Sequence, residues 1–369
     1  MKVDSKMKRN FGFGCMRLPM QDGQVDNAEL TKMIDAYLES GFNYFDTAHG
    51  YMKGKSEVAL RECLTSRYPR ESYVLTNKLS YQFFESEEEV RPLFESQLEA
   101  CGVDYFDFYL MHAQNRIRFA KFKACRAYET ALELLAEGKI RHFGISFHDT
   151  ADVLEQILTE YPQIEVVQLQ FNYVDYEDIS VQSRKCYEVC RKYGKAVFVM
   201  EPVKGGCLVN LPEEAQKVFD ELGGGSNASY AIRFAAGFDG IQMVLSGMSN
   251  VEQMLDNIGF MKEFQPLSQK EQEAVAKVRT IFHSMGMIPC TACRYCTEVC
   301  PVGIAIPDLF ACMNNRKLFN SRVRINYYSV YAQKAKPADC VGCGQCEAIC
   351  PQNLPIRKLL KDVAAEFEN

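Results

Sequence analysis

The sequence lacks three features that would each suggest a class of protein. It contains no run of about 18 consecutive apolar residues, the length that a helical membrane span needs, and it begins with a polar segment rather than an apolar signal core. It has no excess of positive charge, since 42 Lys and Arg residues face 48 Asp and Glu residues and the formal net charge is -6. We therefore expect no membrane partner and no nucleic-acid partner, and we predict a soluble, cytoplasmic protein.

Cysteine, in contrast, is abundant, with 16 residues in a chain of 369. In a reducing compartment, cysteines are typical of metal sites or buried thiols rather than of disulfides. The chain is longer than the roughly 250 residues of a typical (β/α)₈ barrel by enough for a second small domain. We expect two domains, residues 1–285 and residues 286–369.

The first of these regions alternates short β-branched and aromatic runs with longer amphipathic segments, from Phe11 to about Ser249. This alternation is typical of repeated βα units with parallel strands. Eight strands are predicted, and they begin near Phe11, Asn43, Tyr73, Phe106, His142, Val166, Ala196 and Ile241. Eight such strands favour an α/β fold of the (β/α)₈ TIM barrel type over an open sheet. The segment from Leu208 to Asn227, which contains Pro212 and three consecutive glycines, is predicted to be a long mobile loop at the barrel mouth.

Eight cysteines form two copies of the motif C-x₂-C-x₂-C-x₃-C-P. The first copy comprises Cys290, Cys293, Cys296 and Cys300, and the second comprises Cys340, Cys343, Cys346 and Cys350. Soft thiolate ligands suit iron and zinc, but zinc motifs usually show paired C-x₂-C arms. The spacing favours iron–sulfur clusters, with two zinc sites or unligated core thiols as the alternatives. The other eight cysteines have no comparable spacing, and we assign them no role.

The two motifs resemble those of bacterial two-cluster ferredoxins, in which the fourth cysteine of each run ligates the other cluster. The resemblance implies a mostly helical, ferredoxin-like C-terminal domain with two [4Fe-4S] clusters. It assigns one cluster to Cys290, Cys293, Cys296 and Cys350. It assigns the other cluster to Cys340, Cys343, Cys346 and Cys300.

Four ionisable residues lie at or just beyond the ends of three consecutive predicted strands. Asp46 and Tyr51 belong to the segment FDTAHGY, Lys78 to LTNKL and His112 to YLMH. The C-terminal ends of barrel strands carry the active sites of this architecture. Each residue alone fits a structural role, as a helix cap, a loop aromatic, a solvated charge or a core histidine. The prediction of an active site therefore depends on their grouping.

Together these four residues resemble the aldo-keto reductase family, whose Asp, Tyr, Lys and His occupy these strand positions in this order. The resemblance extends over about residues 11 to 260 through GKSE, GISF, VQLQ, MEPVKGG and GMSNVEQMLDN, and it is greatest to the branch with a C-terminal ferredoxin-like domain. It implies an NAD(P)H-dependent oxidoreductase that reduces a carbonyl or oxidises an alcohol. Tyr51 would be the general acid, and a lysine cation beside it would lower its pKa. Lys78 would be that cation, Asp46 would hold it in place, and His112 would orient the substrate.

The resemblance also implies a binding site for NADPH or NADH. Ser146 and Gln168 would bind the nicotinamide carboxamide, and the EPVKGG loop would border the pyrophosphate. The predicted contacts are Ser146, Gln168, Met200, Pro202, Val203, Gly247, Met248, Gln253 and Asn257. Gly247 and Gln253 stand where many reductases place the Lys and Arg that bind an adenosine 2′-phosphate, which leaves NADPH and NADH both open. Lys204 or a loop arginine is the expected substitute cation.

Three functional interpretations follow from this combination of domains. A nicotinamide gives up two electrons as hydride, whereas each cluster passes one electron, so coupling them needs a flavin or paired one-electron steps. The first interpretation is an enzyme that acts on a small carbonyl or alcohol substrate and uses its clusters for electron transfer. A flavin and a redox protein partner are the further components that this interpretation allows. The second is a nicotinamide-sensing or electron-relay protein with little carbonyl chemistry. The third gives the clusters a structural role alone. The sequence carries no signal for the oligomeric state.

Overall fold

The structure is a computed structural model that describes residues 3–178, 181–288, 290, 294–319, 328, 331–350, 352 and 354–368, excluding the side chains at 117, 283, 315, 318 and 319. The chain divides into two compact units, Met1–Val275 and Ala276–Asn369. Within the described residues, no helix is long and apolar enough to cross a membrane.

The strands of the first unit are β1 (Phe11–Gly14), β2 (Met20–Gln21), β3 (Gln24–Val25), β4 (Tyr44–Asp46), β5 (Val74–Leu79), β6 (Phe106–Gln114), β7 (Ile140–Phe147), β8 (Val166–Gln170), β9 (Ala196–Met200) and β10 (Ile241–Gly247). Eight of them run parallel and close into a barrel in the order β1-β10-β9-β8-β7-β6-β5-β4. The barrel closes because β1 pairs with both β10 and β4, while β2 and β3 form a separate antiparallel pair. All eight predicted strands, and the closed barrel, are confirmed.

Helices connect the strands, as the alternating pattern predicts. They are α1 (Asn27–Glu39), α2 (Lys55–Leu60), α3 (Glu87–Cys101), α4 (Arg116–Ala124), α5 (Ala127–Ala136), α6 (Ala151–Glu160), α7 (Ser183–Lys192), α8 (Glu213–Asp220), α9 (Asn227–Ala236), α10 (Val251–Lys262) and α11 (Gln269–Ser284). Asp26 caps α1 by accepting a hydrogen bond from the Glu29 amide. Gly102 ends α3 in the left-handed conformation, with φ of 65°, which glycine adopts without a Cβ penalty.

The barrel interior is filled by large side chains that interdigitate. Tyr44 packs edge-on against Phe198 with ring centroids 5.4 Å apart, and Met7 from the N-terminal segment is buried in the same cluster. Close packing between strands also requires glycine at one position. A Cβ on Gly144 would lie 2.6 Å from the carbonyl oxygen of Val166, a distance that real Cβ atoms do not tolerate. The interior of the barrel is therefore tightly packed.

The prediction of a long loop from Leu208 to Asn227 is wrong, because the segment contains helix α8. Ala215 and Phe219 lie one turn apart on its buried face. The Phe219 ring packs on Tyr230 with centroids 4.5 Å apart. This burial stabilises a helix that the flanking proline and glycines concealed in the sequence.

The second unit has short helices around its own apolar core. Its helices after α11 are α12 (Tyr295–Glu298), α13 (Ile306–Phe319), α14 (Gln345–Ala348) and α15 (Ile356–Phe367). The core includes Leu309, Phe310 and Leu360, and Cys296 and Cys346 are buried with them. The mostly helical C-terminal fold predicted from the cysteine motifs is confirmed.

Candidate functional site

Three neighbouring strands bring the four ionisable residues of the predicted active site together. Asp46 ends β4, Lys78 lies near the end of β5, and His112 lies near the end of β6. Tyr51 follows at the start of a short turn, Tyr51–Gly54, in which Met52 and Lys53 have positive φ. Because β4 pairs with β5 and β5 with β6, all four side chains reach one end of the barrel.

Lys78 is the centre of this group. Its side chain is fully buried, and its Nζ donates to Asp46 Oδ1 at 2.5 Å and to the Thr47 carbonyl oxygen at 2.7 Å. Burial lowers the pKa of Lys78, but the charge of Asp46 and the hydrogen bonds to Asp46 and Tyr51 raise it above the ordinary value. Lys78 therefore carries its positive charge at neutral pH, in a setting where charge acts strongly.

Tyr51 lies beside this cation, and Lys78 Nζ is 5.0 Å from the centroid of its ring. The sequence predicted that Lys78 would lower the pKa of Tyr51, but the net direction is the opposite. Burial raises this pKa, Lys78 lowers it, and the negative charge of Asp46 raises it again, so that the balance is upward. The hydroxyl consequently keeps its proton at neutral pH.

His112 completes the group, with its ring 5.9 Å from the Tyr51 ring in an edge-on arrangement. Its Nδ1 lies 2.6 Å from the hydroxyl of Ser80, a partner that sequence reasoning missed. Burial lowers the pKa of His112 well below its usual value, and the positive charge of Lys78 lowers it further. The imidazole is therefore neutral at neutral pH. Ser80 stands two residues after Lys78 at the end of the same strand, which is the signal that could have identified it.

Ser146 and Gln168, the predicted carboxamide contacts, are both buried at this end of the barrel. Gln168 Nε2 donates to Asp46 Oδ2 at 3.0 Å, so Gln168 holds the second oxygen of the carboxylate that binds Lys78. Ser146 Oγ accepts from the Ala113 amide at 2.6 Å, immediately after His112. Gln168 thus contacts Asp46 directly, and Ser146 contacts the residue that follows His112.

The remaining predicted nicotinamide contacts are distributed over the ends of β9 and β10. Met200 is half-buried at the end of β9, followed by buried Pro202 and half-buried Val203. Gly247 is exposed at the end of β10, whereas the Met248 side chain belongs to the hydrophobic core. Gln253 Oε1 accepts from the Ser249 amide at 2.8 Å, and Asn257 Nδ2 donates to Ser246 Oγ at 2.9 Å. The side chains of Met248, Gln253 and Asn257 thus make their contacts within the protein.

Lys204 or a loop arginine was expected to replace the missing phosphate-binding side chains, and the structure gives one candidate of each kind, Lys204 and Arg17. Lys204 is largely buried and its Nζ lies 2.6 Å from Asp175 Oδ1, which commits its charge to that carboxylate. Arg17 is exposed and lies between the two glycine-containing loops. A Cβ on Gly205 would be 3.4 Å from Arg17 Nη2, and one on Gly247 would be 3.9 Å from Arg17 Nη1. Arg17 is the better placed of the two for a phosphate group.

In the second unit, two cavities are lined by cysteines from both motifs. The first is lined by Cys290, Cys296 and Cys350, with apolar neighbours such as Phe310. The second is lined by Cys300, Cys340, Cys343 and Cys346. Cys293 lies outside the described residues. Each cavity thus combines cysteines of one run with the fourth cysteine of the other run.

The cavities match the chemistry of cluster ligands in one further respect. The Ile304 amide donates to Cys300 Sγ at 3.4 Å, the type of hydrogen bond that tunes an iron–sulfur cluster. No three His, Cys, Asp or Glu side chains within the described part of the chain group closely enough to bind a single ion.

Comparison with known proteins identifies a family for each part of the chain. The Aldo/keto reductase family matches residues 10–280, and a 4Fe-4S dicluster domain matches residues 289–354. The NADH-specific methylglyoxal reductase of Escherichia coli is 28% identical over 208 residues, which cover 50% of this chain and 61% of that protein.

Solved structures resemble the barrel as well. An aldo-keto reductase from Bacillus halodurans in its holo form is 25% identical, with a TM-score of 0.60, over 73% of this chain and 91% of that chain. An aldo-keto reductase from Klebsiella pneumoniae in complex with NADPH is 19% identical, with a TM-score of 0.59, over 73% of this chain and 90% of that chain. The second likeness concerns the fold alone.

Proposed function

The chain belongs to the aldo/keto reductase family of oxidoreductases and carries a 4Fe-4S dicluster domain, and from that premise we propose that it reduces a small carbonyl compound with NAD(P)H, or oxidises the corresponding alcohol. One observation carries this proposal. A fully buried lysine cation is held between Asp46 and the hydroxyl of Tyr51, with a neutral histidine beside them. A protonated tyrosine next to a fixed cation is equipped to donate a proton to an oxygen that gains negative charge.

Tyr51 is the general acid in this proposal. When bound, a reduced nicotinamide would supply hydride to the carbonyl carbon. Tyr51 gives its hydroxyl proton to the carbonyl oxygen, and Lys78 stabilises the tyrosinate that remains. The raised pKa of Tyr51 keeps the acid loaded at neutral pH, while the adjacent cation limits the cost of losing the proton. Asp46 and Gln168 fix the position of that cation.

His112 orients the carbonyl. When the Ser80 hydroxyl donates to Nδ1, the ring proton lies on Nε2, which then donates to the carbonyl oxygen. Because the imidazole is neutral, it positions this oxygen without competing with Tyr51 as a proton donor. Tyr51 and His112 would thus bind the same oxygen from two sides.

The nicotinamide cofactor would occupy the mouth between β7 and β10, where Ser146, Met200 and Gly247 lie. We assign Arg17 to the adenosine 2′-phosphate, because it stands beside Gly247 while Lys204 is committed to Asp175. This assignment favours NADPH. The E. coli relative is named for NADH and the Klebsiella structure contains NADPH, so the family accommodates both.

For the second unit we propose two [4Fe-4S] clusters. One would be held by Cys290, Cys293, Cys296 and Cys350, and the other by Cys340, Cys343, Cys346 and Cys300. The cysteine-lined cavities support this crossed arrangement. Clusters of this kind, when bound, exchange single electrons. Electron transfer between the clusters and the nicotinamide would use a flavin or paired one-electron steps. The clusters could also pass electrons to a redox protein partner.

The acid assignment is tested with Tyr51→Phe, which removes the hydroxyl and keeps the ring. We expect carbonyl reduction to fall by about 10²- to 10⁴-fold, the usual contribution of a positioned acid. Tyr68→Phe is the matched control, because the Tyr68 hydroxyl bonds to Asp35 on helix α1 rather than to the site. Iron and sulfide contents should be equal in both variants. Unchanged turnover in Tyr51→Phe would refute the assignment.

The role of the clusters is tested by anaerobic purification, iron and sulfide analysis, and addition of NADPH or NADH. Bleaching of the cluster absorbance, with a paramagnetic signal, would support an electron path between nicotinamide and clusters. The same spectra would reveal a flavin. If the clusters respond to dithionite but to neither nicotinamide, electron transfer between the two units is contradicted.

A further inference from the structure

An arginine that plays no part in the acid–base group lies beside His112. Arg118, on helix α4, donates from Nη1 to the Ala113 carbonyl oxygen at 2.8 Å, one residue after His112. Its guanidinium also lies over the Tyr81 ring, 4.4 Å from the centroid, one residue after Ser80. Since Ser80 and His112 are themselves hydrogen-bonded, Arg118 is anchored to the same two chain segments as the histidine that would bind the substrate.

The charge of Arg118 is not neutralised by an ion pair among the described residues. The other cations of helix α4 do have carboxylate partners: Arg116 pairs with Asp149 and Lys121 pairs with Glu85. Arg118 is half-buried, so its charge is poorly screened by solvent.

The two histidines near Arg118 respond to its charge. Burial lowers the pKa of His112 well below its usual value, and the Lys78, His148 and Arg118 charges lower it further. Arg118 also lies near His148, whose side chain is exposed. The His112 imidazole is therefore neutral at pH 7, and Arg118 is a second positive charge near it, in addition to Lys78.

We propose that Arg118 binds an anionic oxygen group of the substrate, and hence that this enzyme prefers carbonyl compounds that also carry a carboxylate or a phosphate. The proposal rests on the proposed carbonyl reduction and defines its substrate class. A planar guanidinium supported on an aromatic ring presents its remaining N–H groups in a fixed orientation, which suits two-point binding of such oxygens. His112 would hold the carbonyl while Arg118 holds the charged end of the same molecule.

The test compares aldehydes with and without an anionic oxygen group. One pair is 4-carboxybenzaldehyde and its methyl ester, and the other is glyceraldehyde 3-phosphate and glyceraldehyde. We expect the wild-type kcat/KM to be about 10- to 100-fold higher for the charged member of at least one pair, the usual effect of hydrogen bonds to a charged group. Comparing the pairs distinguishes carboxylate from phosphate recognition.

The variants are Arg118→Met, Arg118→Lys and the control Arg116→Met on the same helix. In Arg118→Met the preference should disappear, because kcat/KM for the charged member falls to about the value for the neutral member. Arg118→Lys should restore part of the preference, and Arg116→Met should leave it intact. Circular dichroism of each variant checks that it is folded.

Two results would overturn the inference while leaving carbonyl reduction standing. The first is a wild-type enzyme that reduces charged and neutral members equally. The second is an equal loss on both members in Arg118→Met, which would make Arg118 a positioning residue for Ala113 and His112. If the wild-type protein reduces neither member of either pair with NADPH or NADH, the proposed function fails, and the substrate preference fails with it.

Discussion

Breaking the Lys78–Asp46 ion pair from the lysine side is expected to destabilise the barrel strongly. The lysine side chain is fully buried and that of Asp46 is 4% exposed, with 2.5 Å between Nζ and Oδ1. In Lys78→Met the Asp46 carboxylate stays buried and keeps the Gln168 amide as a donor. Leaving a buried charge without its ionic partner costs about 3–5 kcal/mol of unfolding free energy.

Replacing the carboxylate instead, with Asp46→Asn, is expected to lower the unfolding free energy by less than Lys78→Met does. The carboxylate accepts from Lys78 on one oxygen and from Gln168 on the other. Asparagine has one oxygen and one amino group. If its oxygen accepts from Lys78, its amino group faces the Gln168 amino group, and two donors meet until the Gln168 side-chain amide flips. Lys78 also keeps its bond to the Thr47 carbonyl. We expect a loss of about 2–3 kcal/mol, the scale of hydrogen bonds to charged groups.

A double-mutant cycle measures the coupling between the two residues. Urea unfolding followed by circular dichroism would give the unfolding free energy of each single variant and of Asp46→Asn/Lys78→Met. Because the double variant removes both charges together, it should be more stable than the sum of the single losses predicts, by about 2 kcal/mol. The surface pair Arg67–Asp35 is the control, and Asp35→Asn should cost less than about 1 kcal/mol. Single losses that simply add, within about 0.5 kcal/mol, would refute the reasoning.

Three further predictions concern other parts of the barrel. Burial lowers the pKa of His142, but Asp4 and Glu165 outweigh burial and raise it to about 9, so its stabilisation is present below about pH 6.5 and lost as the pH rises through 9. The unfolding free energies of wild type and His142→Gln should therefore converge above pH 9, and a constant difference between pH 6 and pH 10 would contradict this. Arg17→Ala should weaken NADPH binding about 10-fold and NADH binding little, measured by fluorescence titration; equal weakening would place Arg17 on the pyrophosphate instead. Gly144→Ala should lower the unfolding free energy by about 1–3 kcal/mol, because its Cβ would lie 2.6 Å from a carbonyl oxygen of β8, and an unchanged value would count against the close packing described.

Local pattern in the sequence was enough to predict the strands and the order of the site residues along the chain. A strand such as Val74–Leu79 is a short run with buried side chains throughout, and its type follows from its own residues and their neighbours. The order of strands in a closed barrel then places the ends of β4, β5 and β6 side by side. Asp46, Lys78 and His112 could therefore be grouped without knowledge of any distance. The repeated cysteine motif is equally local, because three ligands come from one short segment.

Local sequence pattern did not predict the features that depend on contacts between distant segments of the chain. Helix α8 forms because Phe219 finds Tyr230 in another helix, although glycines and a proline flank it. The pKa of Tyr51 moves upward rather than downward because burial outweighs the nearby cation.

The sequence by itself thus predicted the barrel, the two cysteine motifs and the grouping of four ionisable residues at the strand ends, since these follow from periodicity and spacing along the chain. The tertiary structure alone decided which charges are already paired. It commits Lys204 to Asp175 and places Arg17 beside the glycine loops. It also leaves Arg118 next to His112 without a carboxylate partner among the described residues. The physical reason is that burial and charge neutralisation depend on residues far apart in sequence, which only the folded chain brings within a few ångströms of one another.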